Sequence, residues 1–428
     1  MQMLLTYNGK KHIIKIHDNK ITKGVFTMWE KTMSIDEVRE IRGKTSTFLG
    51  VGAIEKIFDI ISELKKKGID RIAIVTGKSS YIKCGAWDYV ERALKENDIE
   101  FILYNKITPN PLSTHVDEAT KEARELGAKA VIGIGGGSPI DAAKSVAIMM
   151  LYPEYTTADL YEYKFTPTEA LPVIAINTTH GTGTETDRFA VVSVLEDGKE
   201  YKPAIAYDVS YPVYSIDDPK LMTSLPRSQT IYTSVDAINH VVEACTTKIA
   251  SPYTVMLAKE TVRLIAKYLP VALENGEELE ARYYLAYASA IGGICFDNGM
   301  LHLTHALEHP LSAMKPDLAH GLGLAILLPS IIKSIYPAKP EVLSHILMPI
   351  VPHLKGQKEE AESAANGVKE WLVSIGITET LSDLGFEEND IERLVELTFT
   401  TPSLDLLLNC SPVDATKELV EKIYRESL

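Results

Sequence analysis

Short apolar runs that end in glycine or threonine recur along the first half of the chain, and helical stretches separate them. The runs are RIAIVTG (71–77), FILYN (101–105), AVIGIGGGS (130–138) and VIAINTT (173–179). The intervening sequences include WDYVERALKEND and VDEATKEARELG, which are typical of helices. Strands that alternate with helices predict a parallel sheet with helices on both faces. Ligands of such sheets bind beyond the carboxyl ends of the strands, where these glycine and threonine turns fall.

The sequence pattern changes twice along the chain. With 428 residues, the chain is too long for a single hydrophobic core, so more than one domain is expected. Residues 1–45 are polar and mixed, and the alternating pieces MLLTY and KHIIKI predict a small hairpin there. After YSIDDPKLMTSLP (214–226) the strand signals stop and helical patterns follow. We therefore predict an N-terminal extension over 1–45, an α/β domain over 46–218 and an all-helical domain over 219–428. A cleft between the last two is the expected site.

Charge and composition narrow the class of partner. The net charge of −14 disfavours binding to a nucleic-acid backbone or an anionic membrane. The start of the chain lacks the pattern of a signal peptide, and the longest apolar run, GLGLAILLPSII, is interrupted by Pro329. The four cysteines form no CxxC pair, which argues against a disulfide framework or a thiolate zinc site. These features predict a cytoplasmic protein with a small-molecule partner.

A glycine-rich turn, GIGGGSPIDAAK (133–144), follows one of the apolar runs and opens a helix. Glycines let the backbone approach a phosphate closely, and the free N–H groups at a helix start favour an anion. The turn is neither a Walker loop nor a GxGxxG fingerprint, and a purely structural turn remains an alternative. Its position after a buried strand favours the phosphate.

Four of the eleven histidines lie in the stretch HLTHALEHPLSAMKPDLAH. They are His302, His305, His309 and His320. His305 and His309 are four residues apart, which places them on one face of a helix. His320 follows a predicted helix break at Pro310 and Pro316, so it belongs to a new segment.

A second pair with the same spacing, Asp236 and His240, lies in SVDAINH. One carboxylate and several imidazoles without thiolate suit a divalent transition metal, either iron or zinc. The alternatives are ordinary surface or hydrogen-bonded core histidines, with Asp236 as a helix cap or ion-pair partner.

Four motifs in this order, GGGSPIDAAK, TTHGTGTE, DAINHVVEA and HALEHPLSAMKPDLAHG, resemble the iron-dependent (group III) alcohol dehydrogenases from about residue 46 to the C-terminus. The resemblance implies a Rossmann-like dinucleotide-binding domain and a helical metal-binding domain, the dehydroquinate synthase-like fold. It implies that the metal ligands are Asp236, His240, His305 and His320. His309 corresponds to the histidine beside the nicotinamide in that family. His302 has no counterpart, and packing or support of the ligands is its expected role.

The resemblance also implies which residues bind the dinucleotide. They are Gly77, Lys78, Ser79, Ser80, Asn110, Gly136, Gly137, Ser138, Asp141, Thr178, Thr179, Phe189, Lys202 and Leu221. A solvated surface lysine is the alternative for Lys202. Many relatives that use NAD carry an aspartate where Gly77 stands. Glycine removes the repulsion of a 2′-phosphate, and the lysine and serines that follow can donate to it, so we expect NADP(H) to be preferred over NAD(H).

The activity implied by the resemblance is hydride transfer between NADP(H) and a small primary alcohol or aldehyde, in a homodimer that holds Fe²⁺, with Zn²⁺ as the alternative. Two other classes stay open at this point. One is a glycerol dehydrogenase-like or dehydroquinate synthase-like zinc enzyme of the same fold, and the other is a non-catalytic nucleotide- or metal-binding relative. His180 stands where relatives have alanine, which fits either a polar or anionic aldehyde or simple structural tolerance.

Overall fold

The computed structural model describes residues 2–7, 10–15, 29–34, 36–196 and 199–428. The strands of this part are β1 (Gln2–Tyr7), β2 (Lys10–Lys15), β3 (Ser46–Leu49), β4 (Arg71–Gly77), β5 (Glu100–Ile107), β6 (Ala130–Gly135), β7 (Val173–Asn177), β8 (Phe189–Val191), β9 (Val194–Glu196), β10 (Lys199–Tyr201), β11 (Ala204–Ala206) and β12 (Tyr214–Asp217). Six of them form one parallel sheet in the order β3-β12-β7-β6-β4-β5. The strands β1 and β2 pair antiparallel, which confirms the predicted hairpin.

Helices flank the sheet and make up the C-terminal half. Those before β12 are α1 (Lys56–Lys66), α2 (Ser80–Lys83), α3 (Ala86–Glu96), α4 (Ser113–Leu126), α5 (Gly137–Met149) and α6 (Thr157–Tyr161). Those after it are α7 (Arg227–Ala244), α8 (Pro252–Glu274), α9 (Leu279–Gly299), α10 (Leu303–Met314), α11 (His320–Ile335), α12 (Pro340–Leu347), α13 (Ala361–Ile375), α14 (Ile391–Thr400), α15 (Leu404–Cys410) and α16 (Lys417–Ser427). Strand β12 ends at Asp217 and α7 begins at Arg227, and a domain boundary near residue 218 stays a prediction.

Strand β4 shows why the sheet is covered on both faces. Ala73 and Val75 pack in one apolar cluster with residues of α4 and α5, whereas Ile72 and Ile74 pack in another with residues of α1 and α3. Successive side chains of a strand point to opposite faces, so an unbroken apolar run requires a helix layer on each side. The predicted parallel sheet with helices on both faces is therefore confirmed.

Glycines let the start of α5 pack tightly at the carboxyl end of β6. A Cβ on Gly133 would lie 2.9 Å from the Cβ of Ala143, and Gly135 has a φ of +150° with Pro139 2.6 Å from its would-be Cβ. Any side chain would push the helix away from the strand. The first turn of α5 is thereby held at the edge of the sheet that faces the helical half of the chain.

Pro310 and Pro329 lie inside helices rather than at their ends. The expected break at Pro310 is wrong, since α10 continues through it to Met314, and α11 continues through Pro329. Both helices are buried over most of their length, and that packing offsets the hydrogen bond that each proline removes.

The segment His320–Ala338 is long and apolar enough to cross a membrane, contrary to the expectation from the position of Pro329. However, 67% of its most apolar window is buried inside the protein, as in a core helix.

Candidate metal and dinucleotide site

A cleft of about 750 Å³ lies between the carboxyl edge of the sheet and the helical half. Its walls come from the turns after β4, β5, β6 and β7 on one side. Helices α7, α10 and α15 and the start of α11 contribute the other side. The two groups of residues that the sequence singled out, the glycine turn and the histidines, therefore line one cavity.

Four acidic and imidazole side chains from three helices meet in this cleft. Helix α7 supplies Asp236 and His240, α10 supplies His305, and α11 begins at His320. One ligand atom from each of Asp236, His305 and His320 lies within 4.8 Å of the others. The Nε2 atom of His240 is 3.2 Å from Asp236 Oδ1. The four residues proposed from the sequence are thus neighbours, with His240 joined to the cluster through the aspartate.

Several polar atoms of this cluster are buried without a hydrogen-bond partner. They are Asp236 Oδ1, His240 Nδ1 and His305 Nε2. Buried polar atoms are rarely left unpaired, because desolvation without a partner is costly. A divalent cation in the cluster would satisfy Asp236 Oδ1 and His305 Nε2, and a set of oxygen and nitrogen donors suits Fe²⁺ or Zn²⁺. The residues present therefore fit a metal ion.

Two further carboxylates orient the imidazoles. Glu243 accepts a hydrogen bond from His305 Nδ1 through one oxygen, and its other oxygen accepts the backbone N–H of His302 at 2.9 Å. Glu308 accepts in the same way from His320 Nδ1. Each bond fixes the ring with Nε2 as its free nitrogen, the arrangement by which carboxylates commonly support metal-bound histidines. The sequence reasoning did not single out Glu243 or Glu308.

The imidazoles that surround Asp236 and Glu243 determine the pKa values of these two carboxyl groups. Burial alone would raise the pKa of Asp236, but the imidazoles of His240, His305 and His320 outweigh it and hold that pKa well below its usual range. Burial also acts on Glu243, whose pKa is nevertheless lowered to about 2 by His305. Both carboxyl groups are therefore charged at neutral pH.

His302 is the N-cap residue of helix α10 and is fully buried. Its Nδ1 accepts the backbone N–H of Leu303 at 2.6 Å, and its Nε2 lies 2.9 Å from the hydroxyl of Thr246. Both ring nitrogens are thus occupied by neighbours within the helical half. This placement agrees with the expected role in packing and support.

His309 lies one turn after His305 and is held by the opposite wall of the cleft. Its Nδ1 donates to the backbone oxygen of Lys202 at 2.8 Å. Burial, and next the charge of Lys202, lower the pKa of His309 well below its usual value, so the ring is neutral with Nε2 as an acceptor. The alternative of a solvated Lys202 is wrong, because this side chain is 6% exposed and its Nζ is 3.8 Å from Glu308 Oε2.

At the other end of the cleft, the backbone of the glycine turn and the first turn of α5 form a cradle for a phosphate. A Cβ on Gly136 would lie 2.8 Å from Thr179 Cγ2, and one on Gly137 would lie 2.8 Å from Thr182 Cγ2. Helix α5 has no side-chain cap at its start, so its first N–H groups are free to bind an anion. Only glycine leaves room there, which fits the close approach of a dinucleotide phosphate.

Comparisons with known proteins cover most of the chain. Residues 44–219 match the family model described as iron-containing alcohol dehydrogenase, and residues 230–428 match the C-terminal model of the Fe-containing alcohol dehydrogenase family. The chain belongs to the iron-containing alcohol dehydrogenase family. It is therefore an oxidoreductase that acts on CH–OH groups with a nicotinamide cofactor.

Named relatives agree with this family. The chain is 58% identical over 400 residues to the long-chain primary alcohol dehydrogenase AdhA of Thermoanaerobacter ethanolicus, covering 94% of this chain and all of the relative. It is 32% identical to alcohol dehydrogenase 4 of Schizosaccharomyces pombe, covering 86% and 84% of the two chains. Among solved structures, the NADH-dependent butanol dehydrogenase A of Thermotoga maritima superposes with a TM-score of 0.83 at 30% identity, covering 91% and 98%.

Most cofactor positions expected for this alcohol dehydrogenase line the cleft. They are Gly77, Lys78, Ser79, Ser80, Asn110, Gly136, Gly137, Ser138, Asp141, Thr178, Thr179, Phe189 and Lys202. Asn110 adopts a φ of +53° and donates its amide to Pro316 O at 2.9 Å, which links the two halves of the chain. As a correction, Leu221 is not part of the lining, because its 3% exposed side chain packs with Ile216 in the core beneath the sheet.

Asp141 lines the cleft, but both of its oxygens are already bonded. Oδ1 accepts from the hydroxyl of Thr184 at 2.6 Å, and Oδ2 accepts from the backbone N–H of Val191 at 2.9 Å. Its contacts hold the loop after β7 and the strand β8 against α5. A direct contact with the cofactor stays a prediction.

His180 lies behind the cleft wall rather than in it. The ring is 1% exposed, and its Nε2 accepts from Nη1 of Arg282, which is itself 1% exposed, at 2.8 Å. Burial, together with the charge of Arg282, lowers the pKa of His180 to about 3. A neutral, buried ring that is absent from the lining favours structural tolerance over a direct part in choosing an anionic aldehyde.

Proposed function

We propose that this chain interconverts primary alcohols, long-chain ones included, and their aldehydes with NADP(H), using a divalent metal held by Asp236, His240, His305 and His320. The observation that carries the proposal is the set of buried, unbonded carboxylate and imidazole atoms in the same cleft as the glycine cradle. The 58% identity to an enzyme named long-chain primary alcohol dehydrogenase supports the substrate class. The family description favours iron over zinc.

Each residue of the proposed site has its own role in binding or in proton transfer. When bound, the metal would supply Lewis acidity to the substrate oxygen, and the nicotinamide would carry the hydride. Glu243 and Glu308 hold the rings of His305 and His320 by their Nδ1 atoms. His309 donates through Nδ1 to the opposite wall, so its Nε2 is the acceptor available for a proton from the alcohol hydroxyl.

The cofactor preference rests on the end of β4. Gly77 ends the strand, and Lys78, Ser79 and Ser80 follow it, exposed and in the lining of the cleft. A ribose 2′-phosphate beside Gly77 would meet an ammonium and two hydroxyl groups and no carboxylate from these residues. An aspartate at this position would instead accept from a 2′-hydroxyl and repel the phosphate.

Gly77→Asp should reverse the cofactor preference. We expect the ratio of kcat/KM for NADPH over NADH to fall by about 100-fold or more, because the variant adds repulsion of one cofactor and a hydrogen bond for the other. Initial rates at a fixed aldehyde concentration measure the ratio. Gly77→Ala is the matched control, since it adds a methyl group without charge. Equal losses for both cofactors in Gly77→Asp would mean that the 2′-position lies elsewhere.

A direct test of the activity uses protein purified without oxygen and loaded with Fe²⁺ or Zn²⁺. We expect oxidation of NADPH with butanal and with decanal, faster than oxidation of NADH, and faster with Fe²⁺ than with Zn²⁺. A preference for NADH would overturn the cofactor assignment only. No turnover of any aldehyde by fully metal-loaded protein would favour a non-catalytic binding protein, and activity with Zn²⁺ alone would favour zinc as the resident metal.

The quaternary state and location remain sequence-based predictions: a homodimer in the cytoplasm. Sedimentation equilibrium of the purified protein tests the first, and a monomer at micromolar concentration would contradict it.

A further inference from the structure

Two strained residues meet at one strand at the mouth of the cleft. Tyr163, after α6, has a φ of +57°, and Ser403, before α15, has a φ of +75°. Residues other than glycine rarely adopt this left-handed backbone conformation unless their surroundings hold them there. Residues in this conformation cluster at functional sites. Both residues line the cleft.

Their side chains bond to the same residue of β11. The backbone N–H of Ala204 donates to Ser403 Oγ at 3.0 Å, and the backbone oxygen of Ala204 accepts from the hydroxyl of Tyr163. Within the described residues β11 pairs only with β8, so Ala204 would otherwise present unpaired groups at the edge of a two-stranded sheet. We call Tyr163, Ala204 and Ser403 the mouth latch. It joins the α/β half of the chain to the helical half.

The mouth latch is close to the catalytic end of the cleft. Lys202, whose backbone oxygen holds His309 Nδ1, lies two residues before Ala204. Two residues of extended chain span at most about 7 Å, so the position of Ala204 is tied to that of His309. A shift at the latch would move the wall beside His309.

Behind the latch the cleft is apolar. Helix α15 begins directly after Ser403 and packs against α10, which carries His305 and His309. Leu406 and Leu407 of α15 line the cleft, and Leu406 is 52% exposed despite its apolar side chain. We call these two leucines the apolar wall. Neither the latch nor the wall carries a charged side chain, which suits an alkyl chain and not the phosphates of the dinucleotide.

We propose that the mouth latch and the apolar wall set the length of the alcohol that this enzyme accepts. The mouth latch fixes the position of α15. In that position, Leu406 and Leu407 contact the part of the alkyl chain farthest from the reacting carbon. This assignment rests on the proposed function, since it names the part of the site that selects among primary alcohols. Tyr163 and Ser403 are positioning residues in this scheme, because they act through α15.

The test compares linear primary alcohols from ethanol to 1-decanol with NADP⁺ as oxidant. Leu406→Trp should lower the ratio of kcat/KM for 1-decanol over ethanol by at least about tenfold, because each methylene group excluded from an apolar pocket is worth that much discrimination. Leu406→Ala should raise the ratio. Tyr163→Phe, which removes only the hydroxyl group, should flatten the dependence on chain length while the KM for NADP⁺ stays within about twofold.

Val373→Trp is the matched control, because Val373 is 50% exposed on α13 and does not line the cleft. A uniform loss across all chain lengths, or an effect confined to the KM for NADP⁺, would overturn the proposal, since the wall would then contact the cofactor.

A thermal-shift measurement separates this proposal from the proposed activity. In the presence of NADP⁺, 1-decanol should raise the melting temperature of the wild type and of Val373→Trp but not of Leu406→Trp. That pattern without turnover would support the wall and reject the activity. Turnover with equal shifts in all three proteins would support the activity and reject the wall.

Discussion

Alanine in place of His305 should leave the protein nearly free of metal and almost inactive. The imidazole is one of the nitrogen donors of the cluster, and its removal leaves Asp236 and Glu243 as buried carboxylates without their partner. We expect metal content after dialysis to fall below about a tenth of the wild-type value and kcat/KM to fall by at least about 1,000-fold, since the Lewis acid contributes several kcal/mol. Elemental analysis and initial rates on the same samples measure both.

His353→Ala is the control for this experiment, because His353 is exposed and contacts Ser363 outside the cleft. Glu243→Gln should be intermediate, with metal affinity lowered by about 10- to 100-fold, because it weakens the support of His305 without removing a ligand. Full metal content in His305→Ala would show that the ion is held by a different set of residues.

Gly183→Ala should be strongly destabilising, because it places a side chain where two backbones touch. The added Cβ would lie 2.4 Å from the Cα of Gly293 in α9, and the φ of +68° at Gly183 is unfavourable for alanine. Left-handed strain of about 1–2 kcal/mol and overpacking of about 1–3 kcal/mol together predict a loss of about 2–5 kcal/mol. The midpoint of thermal unfolding, followed by circular dichroism, checks it.

Two other glycines separate the causes of this loss. Gly85 has a φ of +85° with nothing near its would-be Cβ, so Gly85→Ala reports the backbone strain alone. Gly293→Ala introduces close contacts without a left-handed φ, because its Cβ would lie 2.3 Å from the backbone oxygen of Gly183 and 2.4 Å from Thr186 Oγ1. We expect Gly183→Ala to exceed each of them. A loss no larger than that of Gly85→Ala would mean that α9 moves aside without cost.

Four of the six strands of the main sheet, β4 to β7, could be predicted from the sequence, because a short apolar run bounded by turn residues favours a buried strand over a helix. The expected strand at 71–77 has the observed bounds Arg71–Gly77. By contrast, the strands from β8 to β11 were not predicted. Each has three residues, and so short a run carries too little alternation to be distinguished from a loop.

The proposed metal ligands could be predicted from the sequence, but the two carboxylates that orient the histidines could not. The spacing of Asp236 and His240, repeated downstream, pointed to a shared helix face, and the resemblance selected the set. Glu243 lies three residues after His240, and Glu308 lies three after His305, so a helical spacing was present. Nothing in that spacing distinguishes a carboxylate that binds a metal from one that orients a histidine. That distinction needed the contact between each carboxylate and Nδ1 of a ring.

The loop after β7 has a mechanical consequence for cofactor exchange. It contacts α5 through Thr179 and Thr182, α7 where Gly181 meets Thr233, and α9 where Gly183 meets Gly293. The contacts with α7 and α9 are backbone on backbone, so no flexible side chain absorbs sliding there. We therefore expect the two halves of the chain to rotate about this loop as a fulcrum, with the greatest displacement at the opposite rim. Exchange of a dinucleotide would then require only a small angular opening, whose rate depends on how firmly that rim is fastened.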